Sequence, residues 1–271
     1  MSIRAEIMDA EYFAKQYCFA VPGLLLQPYV ECYWQLDLRN GAPENDYWEQ
    51  IFANLNASLV FNLGSPFGIK KQEGTDEWSF AKSIVVGQRN QPVMYHHAEG
   101  NFLLGIKFKP AGLSSLLAVD AQELNNGFVL IEELAKTAEL EEKLANDTLF
   151  EQRTQRLEVF LTALLAKNEA KNYRHHYLHK AINHFQQAQG AYNVNQLANV
   201  LSLTPKTLTR YFVHSVGLTP KVSARIIRFR KALPYYVAYG SAYPYEELGY
   251  TDFSHFIKDY KAFAQKENKK G

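Results

Sequence analysis

Cysteine is scarce: the 271 residues hold only Cys18 and Cys32. Two thiols exclude a disulfide-framed secreted module, and their separation is not that of a zinc-ligand pair. Both are expected to be unpaired core residues in a reducing compartment, with a disulfide between them the lesser alternative. Long apolar runs are absent too, none reaching the roughly 18 residues of a membrane span. Near the N-terminus Arg4 is followed by Glu6, Asp9, Glu11 and Lys15, which interrupt what would be the apolar core of a signal peptide. A cytoplasmic location is therefore expected. No Gly-x-Ser-x-Gly elbow, Walker loop or Gly-x-Gly-x-x-Gly turn occurs, so the sites those motifs build are not expected. His96-His97 with Glu99 suggests a cupin-like metal site, but neighbours on a strand point to opposite faces and His-x-His is missing. A loop or core role is expected instead, with no catalytic residues, metal or cofactor.

Acidic residues become rare toward the C-terminus. Residues 1–170 hold 14 Lys and Arg against 23 Asp and Glu, a balance of −9. Residues 171–271 hold 15 against 5, a balance of +10, and six of the eight histidines lie there. The near-neutral total of +1 thus conceals an acidic part joined to a basic one. Such asymmetry points to polyanion binding by the basic part.

Along the chain, Ala5 to Ala20 reads as a short helix and Tyr29 to Leu38 as a strand. Ser58–Leu63, Ile84–Val86 and Asn101–Lys109 read as further strands, bounded by Gly, Pro and Asn. Short strands so punctuated suggest an antiparallel sandwich or barrel of jelly-roll kind. Tyr33, Trp34, Trp48 and Trp78 are candidate pocket walls, although such rings more often belong to a core. After Pro110 the pattern turns helical: Ala111–Val119, two short stretches between Gln122 and Leu144, then Thr154–Lys167. Leu157, Phe160, Leu161, Leu164 and Leu165 form one stripe of that last helix, expected to pack on its own domain rather than on a second copy. The polar run Lys167–Asn172 is the expected linker. The fold class is therefore α+β multidomain, with an antiparallel β sandwich or barrel and its helices over residues 1–168 and an all-α domain over residues 173–271.

The last hundred residues hold two similar modules. In the first, Val194–Leu201 is a short helix, Ser202–Thr204 a turn, and Thr204 caps a helix whose first position is Pro205. In the second, Gly249 ends a short helix in the left-handed conformation, and Thr251 and Asp252 offer caps for the next. There Phe253, Phe256, Ile257, Tyr260 and Phe263 make the inner stripe, opposite Ser254, His255, Lys258, Lys261 and one acid, Asp259. Between the modules Thr219 and Pro220 start a connecting helix that sets Val222, Ile226, Ile227 and Phe229 against Lys221, Arg225, Arg228, Arg230 and Lys231. This is the layout of a double helix-turn-helix.

Two stretches carry a family likeness: Gly249-Tyr-Thr-Asp-Phe-Ser-His-Phe-Ile-Lys-Asp-Tyr-Lys261, and the upstream order Leu197-Ala, Leu208-Thr-Arg-Tyr-Phe212, Gly217-Leu-Thr-Pro220. Together they resemble the AraC/XylS type of bacterial transcription regulators. Pro28–Trp34, Val86-Gly87 and Leu104–Pro110 also look like one sensor group attached to such domains. The resemblance implies base reading by Lys206, Thr207, Thr209 and Arg210 in the first module. In the second it implies Phe253, Ser254, His255 and Lys258, with phosphate contacts at Thr219 and Lys221. Three departures stand out. Pro234 is expected to end or kink the connecting helix. Pro244 fits only if Ser241–Tyr243 start the short helix before Gly249. Gln265–Gly271 replaces the family's Gly-x-x-Pro, so the final helix is expected to be absent or frayed.

The function so implied is sequence-specific binding of double-stranded DNA, tuned through the N-terminal domain by a small-molecule effector or by homodimerisation, with RNA polymerase a further partner. Arg210 suits bidentate pairing with guanine, and the threonines can offer a hydroxyl to a base or a methyl to thymine. The alternative for Arg210 is a solvated ion, and for His255 a hydrogen bond within its own domain. Lys206 and Lys258 suit phosphates as well as bases. The rival classes are a cupin-like metal-dependent enzyme fused to a DNA-binding module and a non-sensing adaptor. An alkyl-transfer repair protein sharing this DNA-binding domain would need a cysteine cluster that the chain lacks.

Overall fold

The computed structural model describes residues 16–40, 47–71, 77–168, 173–187 and 193–264. Ten antiparallel strands form two sheets. The larger has the order β1 (Tyr17–Ala20), β2 (Val30–Asp37), β9 (Phe102–Phe108), β4 (Ser58–Asn62), β7 (Ile84–Val86), β10 (Phe128–Leu130). The smaller runs β3 (Tyr47–Ile51), β8 (Val93–His97), β5 (Phe67–Lys71), β6 (Glu77–Phe80). The interleaved orders 2-9-4-7 and 3-8-5-6 are those of a jelly roll.

Period-two alternation gives the larger sheet two apolar faces. Leu36, Val60, Ile84, Val86 and Leu103 meet Phe67 and Ile69 of the smaller sheet. Tyr33, Leu59, Phe61, Leu104, Ile106 and Phe108 meet the helices α1 (Gly112–Leu117) and α3 (Phe150–Asn168). Leu157 and Leu161 of α3 are buried there, so its apolar stripe packs on its own domain. Arg153 crosses that layer, donating to Leu144 O at 2.9 Å and Gln35 Oε1 at 3.0 Å.

Several expected elements differ. Of the helix expected over Ala5–Ala20, the part before Gln16 lies outside the described residues, and Tyr17–Ala20 pairs with β2 as a strand. Cys18 there is exposed rather than core, Cys32 is buried, and both are free thiols. Between Ala121 and Asn146 the chain forms a 3-10 turn (Ala121–Leu124), β10, a second 3-10 turn (Ile131–Glu133) and helix α2 (Ala138–Asn146). β3, β5, β6 and β8 are additions; on the outer faces of β3, β5 and β8, polar and cationic groups hide the strand signal. On that face Lys70 Nζ sits 3.6 Å from the Trp48 ring centroid, and Trp48 stacks on His96 at 4.7 Å.

The C-terminal part comprises α4 (Tyr173–Gln187), α5 (Val194–Val200), α6 (Pro205–Val216), α7 (Pro220–Tyr239) and α8 (Phe253–Ala264). Of the two outcomes expected at Pro234, an end or a kink, α7 does not end there but runs on to Tyr239. Pro234 is exposed, so water can serve the carbonyl its missing N–H leaves unpaired. The segment before Gly249 also differs: Gly240–Ala242 and Tyr245–Leu248 are separate 3-10 turns, with Pro244 capping the second. Residues 169–172, within the expected linker, and residues 265–271 lie outside the described residues.

The two parts share one apolar core. Phe52, Ala53, Leu55 and Ala111 of the β part lie in the same cluster as Leu208, Phe212, Phe229, Phe256 and Phe263. The Phe52 ring meets Phe229 edge-on at 6.4 Å.

Candidate nucleic-acid interface and inter-sheet cavity

The first candidate reader begins at Thr204. Its Oγ1 accepts from the Thr207 N–H at 3.1 Å and donates to Thr207 Oγ1 at 2.9 Å. Pro205 follows at a position where no N–H is needed. From there α6 buries Leu208, Phe212, Ser215 and Val216. Lys206 and Arg210 are left exposed, with Thr207 and Thr209 half-buried. Gly217 ends the helix at φ 76°.

α7 starts the same way, with Thr219 Oγ1 accepting from the Val222 N–H at 3.4 Å and Pro220 next. Thr219 and Lys221 are exposed beside that helix start, where free backbone N–H groups favour an anion.

The second candidate reader, α8, is fixed by an ionic knot. Asp259 is 1% exposed, which corrects its expected place on the outer face. Its Oδ1 accepts from Arg225 Nη2 at 2.7 Å and Nε at 3.1 Å, and its Oδ2 accepts from Arg228 Nη2 at 2.8 Å. Arg228 Nη1 also donates to Gly249 O at 3.1 Å. Two arginines expected on the outer side of the connecting helix thus tie it to α8 and to the turn before it.

The Asp252 carboxylate caps α8, accepting from the His255 N–H at 2.7 Å. His255 is half-buried on the same helix. Its Nε2 lies 3.3 Å from Arg228 Nη2 and its Nδ1 lies 3.3 Å from Thr251 Oγ1. The Thr251 N–H also donates to Nδ1 at 3.2 Å, so both ring nitrogens lie against groups of the same domain. Phe253 opens α8. It is half-buried, with its ring 5.1 Å from Tyr245 and 6.2 Å from Tyr236. Ser254 and Lys258 remain exposed on α8.

The β part holds both candidate readers by their C-terminal ends. Beyond α6, a Cβ on Gly217 would lie 1.7 Å from Gln88 Nε2, and Gln88 Nε2 donates to Ala121 O at 2.6 Å. His214 Nδ1 pairs with Asp120 Oδ2 at 2.8 Å. At the end of α8, Phe263 O accepts from the Ala53 N–H at 3.0 Å and Ala264 O accepts from Gln50 Nε2 at 2.6 Å. On α4, His175 Nδ1 lies 3.1 Å from Ser115 Oγ, and burial pushes its pKa down to about 4. None of these links was read from the sequence, since neither Gln88 nor the run Ile51–Leu55 carries a motif.

A cavity of about 130 Å³ opens between the two sheets. Trp34, Phe67, Tyr95, Ile51, Val60 and Leu103 supply its apolar wall, and Glu49, Asn54, Asn56, Arg89, His97 and Lys107 its polar groups. The Trp34 indole lies flat on Gly105, where a Cβ would be 1.9 Å from Cε2. Burial pushes the Cys32 thiol up to about 11, so it stays neutral. His97 Nε2 meets Glu49 Oε2 at 2.8 Å, while His96 faces the other side of β8 against Trp48. The two histidines therefore do not converge, and no cluster of three metal-ligating side chains occurs among the described residues. Of the four candidate pocket aromatics, Trp34 lines this cavity and Trp78 lines a smaller one beside Phe128. Tyr33 is buried against the helices, with its hydroxyl donating to Glu158 Oε1 at 2.8 Å.

Residues 19–129 match a family described as Domain of unknown function (DUF6597). No curated protein matches the sequence. Among solved structures the chain is similar to ToxT from Vibrio cholerae, with 11% identity, 80% of this chain and 92% of that one covered, and a TM-score of 0.44. It is also similar to an unsaturated fatty acid-bound ToxT from the same organism, with 10% identity, coverage of 80% and 86%, and a TM-score of 0.42. The AraC-like transcriptional activator CuxR aligns at 15% identity over 92% of this chain and 93% of that one, with a TM-score of 0.30. Among the described residues no helix is long and apolar enough to cross a membrane.

Proposed function

We propose that this chain is a sequence-specific DNA-binding transcription regulator of the AraC type, modulated through its N-terminal domain. The observation that carries this reading is the pair of capped helix-turn-helix units. Each leaves basic or hydroxyl side chains on an exposed face, and α7 with the Asp259 knot joins them. They sit in the part of the chain with 15 basic and 5 acidic residues.

In this reading α6 and α8 enter successive major-groove segments about 34 Å apart. Lys206, Thr207, Thr209 and Arg210 face bases from α6, and Ser254 and Lys258 from α8. Phe253 and His255 serve to hold α8 in place. Thr219, Lys221 and the amides that open α7 take a phosphate. Basic side chains supply the salt-dependent affinity, and the few groups at base edges supply the preference.

The N-terminal domain acts as the sensing half, with the inter-sheet cavity as its effector site. What supports this is the cavity's mix of apolar wall and polar groups, together with the clamp by which the same domain holds both readers. Dimerisation is the second way that domain would act.

Arg210→Ala tests the reading. A gel-shift titration on a selected duplex should show discrimination against a random duplex falling about tenfold or more, with the fold intact. Unchanged discrimination would remove Arg210 from the reading face.

A further inference from the structure

Resting on that reading of the N-terminal domain, we propose that the effector is a small organic monoanion, a carboxylate on a single-ring or short-chain body, held by Arg89.

Among the described residues, the ions around the cavity leave one cation without a counter-ion. Lys107 Nζ meets Glu31 Oε1 at 3.3 Å, and His97 Nε2 meets Glu49 Oε2 at 2.8 Å. Arg89 is 7% exposed and pairs with no carboxylate among the described residues. Its Nη2 donates to Tyr95 Oη at 3.0 Å, while its Nη1 is buried with no hydrogen-bond partner. A buried guanidinium with an open donor is costly, and a carboxylate supplies the missing charge and the acceptor together.

The remaining wall selects the rest of the ligand. Trp34, Phe67, Tyr95, Ile51, Val60 and Leu103 offer rings and branched chains, which suit carbon and not an inorganic anion. The volume, about 130 Å³, is close to that of engineered cavities of roughly 150 Å³ that take benzene. One ring or a chain of about six carbons therefore fits.

The same residue is wired to the readers. Arg89 and Asn54 exchange two backbone hydrogen bonds of 2.9 Å each. The neighbouring Ala53 N–H donates to Phe263 O at the end of α8, and the neighbouring Gln88 lies against Gly217 at the end of α6. Between residues 49 and 56 the chain turns Glu49, Ile51, Asn54 and Asn56 to the cavity, and Gln50, Phe52, Ala53 and Leu55 to the helical part. A ligand that draws on Arg89 therefore pulls on the strap that fixes both readers.

The test is isothermal titration of the full-length protein with benzoate and hexanoate, and with their neutral isosteres benzamide and hexanamide. At least one acid should bind with one-to-one stoichiometry, about tenfold or more tighter than its amide. Arg89→Gln should abolish that preference, and Arg89→Lys, which retains a cation, should keep it. If Arg89→Gln fails to fold, the acid-against-amide ratio in the wild type still decides. Absence of binding by both acids, equal binding of acid and amide, or unchanged acid binding by a folded Arg89→Gln would overturn the proposal. Fluorescence anisotropy with a selected duplex, run with and without the bound acid, separates the two layers. DNA binding without acid binding sinks the ligand assignment alone, and acid binding without DNA binding sinks the regulator reading alone. An acid that binds yet leaves DNA affinity unchanged overturns the coupling through residues 49–56.

Discussion

Replacing Asp259 with Asn is expected to loosen α8 without touching the surface proposed to meet DNA. The side chain is 2% exposed and accepts three hydrogen bonds from two arginines. Removing one member of a buried ion pair commonly costs about 3–5 kcal/mol. Here the arginine side chains are 39% and 20% exposed, so water can recover part of their solvation. A loss of about 2–3 kcal/mol follows after that discount. The helical part shares a core with the β part, so the loss is spread over a large cooperative unit. The melting temperature should drop by about 5–10 °C. Because Arg228 also holds Gly249 O, α8 should lose its fixed angle to α7 before the fold is lost. The assay is a thermal melt by circular dichroism, paired with base-by-base footprinting on a selected duplex. Contacts at the α8 half-site should fade while those at the α6 half-site persist. A melt within about 1 °C of wild type, with both half-sites protected, would refute the reasoning.

Two further changes probe the clamp between the parts. Gly217→Ala places a Cβ at a positive φ and 1.7 Å from Gln88 Nε2, with Ala121 O at 2.6 Å. The strain alone costs about 1 kcal/mol, and the clash should undock the end of α6 from the β part. Faster cleavage between the parts in limited proteolysis checks it, and wild-type resistance would count against the clamp. His175 gives a pH dependence. Its folded pKa of about 4 lies below the ordinary 6.5, because burial disfavours the charged ring and the neighbouring His179 adds repulsion. The stability it contributes is therefore present above pH 6.5 and is lost as pH falls toward 4. Between pH 7.5 and 5 that loss is about 2 kcal/mol. Urea melts at the two pH values should show the difference in wild type and not in His175→Phe; an equal drop in both would assign the effect elsewhere.

The helical part was legible because its signals are local. Thr204-Pro205 and Thr219-Pro220 announce helix starts, Gly217 and Gly249 announce ends, and Leu208 with Phe212 marks an inner face. The ionic knot was not legible. Arg225, Arg228 and Asp259 read as solvated charges because hydrophobic periodicity reports only apolar burial, and their meeting depends on how two helices cross. His255 and Phe253 sit at the border of the α8 stripe, where a tertiary contact and not the spacing decides. In the β part, strands with an apolar face on each side, such as β9 and β4, were read correctly. β3, β5 and β8 were missed because Lys70, His96 and Glu49 break the apolar run, although Glu77-Trp-Ser-Phe80 of β6 did show the alternation of a half-exposed strand. Arg89 lies in a connection between strands, and only the fold brings it to the cavity and beside Asn54.

The most direct test is selection of bound duplexes from a random pool by the full-length protein, followed by selection with two variants. The wild type should enrich two short conserved blocks about one helical turn apart. Lys206→Ala with Arg210→Ala should erase one block, and Ser254→Ala with Lys258→Ala the other. A pool that stays random, or a single block that both variants erase together, would contradict the account.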